Sequence, residues 1–571
     1  VFQDSLIRNP TFKKYIALAL IVLIALPILF YNLGEQRLKF GDESLHILVT
    51  KEMMASGNWT EPTFRFEPYF SKPPFKMWLT MALLSVTPDT LFWFRFPDAV
   101  LTLASLILLF FISQRFIPNP FVPVLAAFLL LLNKVFVFHG ARTAVQDSMV
   151  MFSTMLCLYL FIILKERKDR EPYQRQLKLA VLIGLVSSMA MMSKYIAGFY
   201  GFLVGLPFLF ISDPKKFFSK YKLELGCSLA VAIAPISLWL GYLLSTQSTQ
   251  LLNSLNLEIY QRLFGEGVHS VGNHGFYLNA LLVEGYWLPP VLISAFFLCL
   301  IFKICKDRSL GLLLLCWGVL PIVLFSALNS YLIRYINPSL PALALGISLM
   351  IFESFGFLFQ KAKGRDIKVK TVSICVALGL FIVLVRLILP PAQTQLARLA
   401  NPTPHFQIDR LAQQIRRYAS TNPESTEILF IDVTNSESPD FGPGFPDYNR
   451  VYLMDMFSLF RFSKLNKMDS NTIRSEDDFL MASSCILDKI QNRTKGKMCA
   501  SFESGFDRAI AQVDRNRHVL VCLKNCDGLS DFVACDKLTN EFKGSRCEDQ
   551  QVLRKPNNRM TFVKNPSLTA R

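Results

Sequence analysis

The chain has 571 residues, 52% of them hydrophobic and 13% aromatic, and its mean hydropathy is +0.35. This is too apolar for an ordinary water-soluble globule and indicates a polytopic membrane protein. The formal charge of +17 excludes no class by itself but does not point to nucleic acid, because Lys and Arg gather in short segments between apolar runs, where cytoplasmic loops meet anionic lipid headgroups.

In chain order, a short basic start precedes the apolar run 16–33, long enough for one span that begins in the cytoplasm. No cleavage pattern follows, so the run is expected to stay as an anchor. The polar stretch 40–78 comes next, with the acidic pair Asp42-Glu43 and with Lys72 ahead of a Pro-Pro step. The run 73–94 is apolar but interrupted by Lys76, Pro88 and Asp89. If it crossed, every later basic loop, beginning with 165–175, would lie outside. Laid in the outer interface as an amphipathic helix, it returns those loops to the cytoplasm. Residues 34–94 are therefore expected to form one juxtamembrane unit.

Spans two to four then fall at 95–113, 121–138 and 149–164, and a helical pair at 179–192 and 196–211 turns at Ser193-Lys194-Tyr195. Span seven, 225–244, opens into an outer loop, 245–275, that holds Glu258, Arg262, Glu266, His269 and His274. Spans at 276–301 and 310–328 follow, then a short outer turn with Arg334 and Tyr335, a tenth span, and an eleventh at 371–389 closed by Pro390-Pro391. About eleven spans place the termini on opposite sides, so the expected division is a transmembrane domain, 1–391, and an outer soluble domain, 392–571.

Twelve cysteines agree with that division. Cys157, Cys227, Cys299, Cys305, Cys316 and Cys375 lie in or beside apolar spans and read as small core residues. Cys485, Cys499, Cys522, Cys526, Cys535 and Cys547 all lie in the polar tail, which suits up to three disulfides in an oxidising compartment. Zinc is the rival for Cys522 and Cys526, but their spacing has no matching His or second Cys pair. In the tail, 428–433 and 518–523 read as buried strands and 406–418 and 476–491 as helices, together a small α/β domain.

Topology brings Asp42, Glu43, Lys72, Arg142, Asp147, Lys194, His269 and Arg334 to one outer face. A single charge at a span end is ordinarily interfacial. Both signs on one face suit phosphate chemistry: cations stabilise a leaving phosphate, and a carboxylate takes the proton of an attacking hydroxyl or amine. The bland alternative for Asp42-Glu43 is a helix-capping pair.

The runs Gly41-Asp42-Glu43, 51–59 and Pro68-Tyr-Phe-Ser-Lys72-Pro-Pro74 with Trp78 resemble the first outer loop of polyprenyl-phosphate-sugar-dependent glycosyltransferases. Within the protein O-mannosyltransferase-like superfamily, the likeness is to the bacterial lipid A aminoarabinose transferases. It continues at Arg142-Thr-Ala-Val-Gln-Asp147, Met191-Met-Ser-Lys194, Gln261-Arg262 with His269, and Arg334-Tyr-Ile-Asn-Pro338, covering 15–350 in the same order. The resemblance implies a GT-C fold and an inverting transferase in a bacterial inner membrane with its tail in the periplasm. The donor would be a polyprenyl-phosphate sugar and the acceptor a lipid, glycan or protein. It implies Asp42, beside Glu43, as the catalytic carboxylate and Asp147 as a second acid. Lys72, Lys194 and Arg334 become donor-phosphate ligands, with Tyr335 lining their pocket and Arg142 beside it.

The chain departs from that pattern at Ser71, where an acidic metal ligand is expected, and at Leu45 and His46, where an arginine and a tyrosine commonly stand. His269 meets the family histidine only with a one-residue slip, and His274 competes. The resemblance therefore makes no cofactor certain, and a divalent metal stays open. A protein O-mannosyltransferase-like enzyme is the nearer alternative; a transporter or flippase of lipid-linked sugars is the alternative from another class.

Overall fold

In a computed structural model, the described residues are 9–35, 42–64, 67–168, 172–212, 214–215, 217–261, 274–283, 289–328, 331–362, 367–400, 427–432, 460–462, 519–523 and 559–564. The chain divides into two compact units: Val1–Glu35, Trp59–Pro62 and Pro68–Pro402 in one, and Gln36–Asn58, Thr63–Glu67 and Thr403–Arg571 in the other.

The first unit is helical, and eight of its described helices are long and apolar enough to cross a membrane. Helix α1, Pro10–Phe30, is capped by Asn9, whose side chain accepts from the Thr11 amide at 2.9 Å, and it starts with a proline whose missing N–H costs nothing there. Its buried residues Ala17, Ile21, Ala25 and Leu29 recur every four residues, and the small pair lets neighbouring helices approach closely. Helix α2, Asp42–Ser56, belongs to the second unit. Helix α3, Phe75–Leu84, has 10 residues and so a length of about 15 Å, half a bilayer core. Helix α4 then occupies Leu91–Ser113, four residues longer at its start than expected.

The third expected span is shorter than the sequence suggested. Helix α5 stops at Val122–Leu131, because the Asn133 side chain accepts from the amides of Val135 and Phe136 and starts a separate π-helical turn, Phe136–Ala141. Helix α6, Asp147–Arg167, is the central post: 83% of its apolar window is buried, against 22% for α1. It packs on α4 and on the next two helices, α7 (Tyr173–Lys194) and α8 (Tyr200–Ser212). Helix α9, Phe217–Thr246, lies along α7 so closely that a Cβ on Gly184 would sit 2.6 Å from the Ser228 carbonyl oxygen.

Beyond α9 the expected eighth span is described in two pieces, Phe276–Leu282 and Pro290–Lys306. Pro390-Pro391 does not close the last helix, which runs Ile367–Ala400. Proline's fixed φ is itself helical, so the pair removes hydrogen bonds to the preceding turn without forcing a stop. The cysteines Cys157, Cys227, Cys299, Cys305, Cys316 and Cys375 are free thiols.

In the second unit, α2 carries Asp42 and Glu43 in its first turn, and Glu52 accepts from the Thr63 hydroxyl at 2.7 Å. The tail contributes four strands: β1 (Glu427–Asp432), β2 (Phe460–Phe462), β3 (Val519–Leu523) and β4 (Arg559–Lys564), ordered β2-β4-β1-β3. All pairings are antiparallel, with Ile428 opposite Leu523 and Met560. Both strands expected in the tail are present within a residue or so of their expected bounds. The expected tail helices, 406–418 and 476–491, and five of the six tail cysteines lie outside the described residues; Cys522 stands on β3.

Candidate functional site

The site is built where α6 begins and α7 ends. These two helices are antiparallel neighbours, so the first residue of one lies beside the last residue of the other; Cys157 and Ser187, 3.2 Å apart, show the same pairing deeper along the interface. Asp147 stands at the N-terminus of α6, where the helix dipole favours an anion, and Lys194 at the C-terminus of α7, where it favours a cation. The Lys194 ammonium donates to Oδ1 of Asp147.

Helix α7 ends because Tyr195 takes φ 43°, a left-handed conformation unusual for a side-chain-bearing residue and worth roughly 1–3 kcal/mol of strain. The chain continues as a 3-10 turn, Tyr195–Phe199, folded against the helix it has left: a Cβ on Gly198 would meet the Met191 nitrogen at 2.2 Å. Two contacts offset the strain. The Tyr195 hydroxyl donates to the Phe70 carbonyl, and its ring packs with Trp239.

That hydroxyl also fixes the segment bearing Lys72. Phe70 is fully buried, its ring edge-on to Trp239 at 6.3 Å, and the Tyr69 amide donates to Pro62 at 2.8 Å. Lys72 is 8% exposed; its ammonium lies 2.7 Å from Oε2 of Glu258 and donates to the Ser71 carbonyl at 3.0 Å. Glu258 sits on a π-helical turn, Asn256–Tyr260. A third wall is the 3-10 segment Ile333–Ser339, held by Trp317, which donates to the Pro338 carbonyl at 2.8 Å, and by Tyr200, 3.0 Å from the Ser339 hydroxyl. Tyr335 from this segment presents its ring 5.8 Å from the Lys194 ammonium and packs on Phe325.

Together these walls enclose a cavity of about 400 Å³. Three cations, Lys72, Lys194 and Arg334, and two carboxylates, Asp147 and Glu258, line it with Tyr335 and Asn337. The rings of Tyr195 and Tyr200 add to the wall, and the remainder is apolar, Val150, Ile196, Leu203, Leu324, Phe325 and Leu328 among it. Such a site can hold an anionic group on its cations and a hydrocarbon chain against its walls.

Five residues singled out from the sequence thus share one cavity: Lys72, Asp147, Lys194, Arg334 and Tyr335. Arg142 does not line it. Its guanidinium donates to the carbonyls of Ile28 and Tyr31, each at 2.7 Å, and Arg95 donates to Leu33 at 2.9 Å. The two arginines satisfy carbonyls that the end of α1 leaves open. Burial, and then the neighbouring Arg95, push Arg142 down to about 10, which leaves it charged at pH 7. Asp42 and Glu43 belong to the second unit, where their helix N-terminus stabilises both carboxylates. His269 lies outside the described residues; His274 is engaged with the Ser326 carbonyl at 2.8 Å.

Glu258, Tyr195 and Tyr200 were missed as site residues. Glu258 was visible as an outer-loop acid, but its lysine is 186 positions away. Among the described residues no group of three or more His, Cys, Asp or Glu could hold a metal ion. Ser71 brings a hydroxyl where the resemblance implies an acidic ligand, and His269, the other implied ligand, lies outside the described residues.

The helical topology is that of the GT-C fold, which two solved structures share. It is a multi-pass membrane protein. The crystal structure of ArnT from Cupriavidus metallidurans bound to undecaprenyl phosphate matches it with a TM-score of 0.56 at 17% identity, covering 88% of this chain and 97% of that one. The oligosaccharyltransferase of Archaeoglobus fulgidus in its apo form matches at 0.51 and 14% identity, covering 78% and 64%.

Within that class, the sequence similarity is to the aminoarabinose transferases, as the motifs implied. Residues 71–239 match the family described as dolichyl-phosphate-mannose-protein mannosyltransferase. An undecaprenyl phosphate-alpha-4-amino-4-deoxy-L-arabinose arabinosyl transferase of Pseudomonas fluorescens is 30% identical over 338 residues, covering 58% of this chain and 59% of the relative. One from Proteus mirabilis is 26% identical over 348 residues, covering 59% of each. The chain spans about three fifths of the length of these curated relatives.

Proposed function

We propose that this protein is an inverting glycosyltransferase that moves a sugar from a polyprenyl-phosphate donor of the undecaprenyl type to a lipid A-like acceptor at the outer face of a bacterial inner membrane. The observation that carries the reading is the convergence of Lys72, Lys194 and Arg334 on one apolar-walled cavity. The cations bind the donor phosphate and, as the sugar–oxygen bond breaks, stabilise the charge left on it. The apolar wall takes the first isoprene units. Attack by the acceptor from the opposite face of the sugar inverts its anomeric carbon, and Asp42 takes the acceptor's proton. Asp147 pairs with Lys194 and aims it at the cavity, while Arg142 holds the end of α1.

The topology follows the sequence expectation of eleven crossings. Eight long apolar helices support it, with the 40-residue segment Tyr173–Ser212 counted as two legs, Val122–Leu131 together with the turn Phe136–Ala141 added as one, and Pro290–Lys306 added as one. Residues 392–571 then lie in the periplasm, where their cysteines pair.

A protein acceptor is the second reading, favoured by the family model matched at residues 71–239. Mass spectrometry of lipid A and of periplasmic proteins, with and without the chain, separates the two. Transfer should vanish in Asp42→Asn while undecaprenyl phosphate still binds. Full transfer by that variant removes Asp42 as the base, and unaltered lipid A and proteins remove the transferase reading.

A further inference from the structure

We propose that Glu258 is an internal stand-in for the donor phosphate, holding Lys72 when no donor is bound and returning to it as the polyprenyl phosphate leaves. The proposal rests on the reading of Lys72 as a phosphate ligand. Lys72 and Glu258 lie 2.7 Å apart on side chains only 10% and 13% exposed, and both line the cavity. An ammonium in a mostly apolar cavity is costly without a counter-charge. Glu258 supplies that charge from a segment remote in sequence, on a turn that also lines the cavity. Its carboxylate and a phosphate oxygen make the same charge-assisted bond to the same ammonium, so the two compete.

The competition is unequal along the reaction. The donor is a phosphodiester with one negative charge, whereas the released polyprenyl phosphate is a monoester that carries nearly two at pH 7. A carboxylate waiting beside Lys72 opposes both. It matters most for the product, whose higher charge would otherwise hold it on the three cations and slow turnover.

The test compares wild type with Glu258→Gln, which keeps the shape and removes the charge, and with Glu258→Ala. Each is purified by size exclusion and titrated with undecaprenyl phosphate. Both variants should bind it about three- to tenfold more tightly. They should also keep single-turnover transfer while losing steady-state rate to slow product release. Unchanged or weaker binding in both, or loss of single-turnover transfer, overturns the proposal; the latter would make Glu258 part of the chemistry. Lys72→Met reports on the underlying reading: if it binds undecaprenyl phosphate as wild type does, the donor site itself is wrong. If Lys72→Met loses binding while the Glu258 variants gain nothing, only the stand-in role fails.

Discussion

The Lys76 ammonium lies 2.8 Å from Oδ2 of Asp98 in the interior of the helical unit, the acid 0% and the lysine 6% exposed. The Ser148 hydroxyl donates to the other oxygen of Asp98, so one buried carboxylate joins α3, α4 and the residue next to Asp147. Removing one member of such a pair strands the other charge. Asp98→Ala should destabilise the protein by about 3–5 kcal/mol, whereas Lys76→Met with Asp98→Leu should recover most of that. Thermal unfolding in detergent checks it; equal losses in single and double variants would show that the pair is not the cause.

Lys194 is held by Asp147 and by the Tyr335 ring, and its charge faces the proposed leaving phosphate. Lys194→Met should lower kcat/KM for a polyprenyl-phosphate sugar by about 10²–10³, the usual loss for one stabilising group at a developing charge. The measurement is made on protein that elutes as wild type does, and retention of most of the rate would remove Lys194 from the donor site.

Arg142 answers two carbonyls at the end of α1. Arg142→Ala leaves both without their donor in a partly buried place, at about 1–3 kcal/mol in total. The expected phenotype is a lower unfolding temperature with donor affinity of the folded fraction unchanged. A loss of affinity at wild-type stability would return Arg142 to the binding site.

Gly198 lets the turn after Lys194 press on the backbone of α7, where an added Cβ meets the Met191 nitrogen at 2.2 Å. Backbone cannot step aside as a side-chain tip can. Gly198→Ala should therefore cost about 1–3 kcal/mol and also weaken undecaprenyl phosphate binding, because Lys194 and Tyr195 must shift with the turn. Binding and unfolding temperature should fall together; a fall in stability alone would separate Gly198 from the site.

What the sequence determined by itself was the membrane class, the break at Lys194-Tyr195, and the gathering of Lys72, Asp147, Lys194 and Arg334 on one cavity. These follow from apolar length, loop charge and the order of motifs, which are local properties summed along the chain. Only the tertiary structure decided how each charge is used. Glu258 meets Lys72 across 186 residues, Arg142 turns to the end of α1, and Asn133 ends α5 and starts the turn that follows it. A buried charge takes whichever partner the packing brings within hydrogen-bond distance, and no periodicity in the sequence encodes that choice.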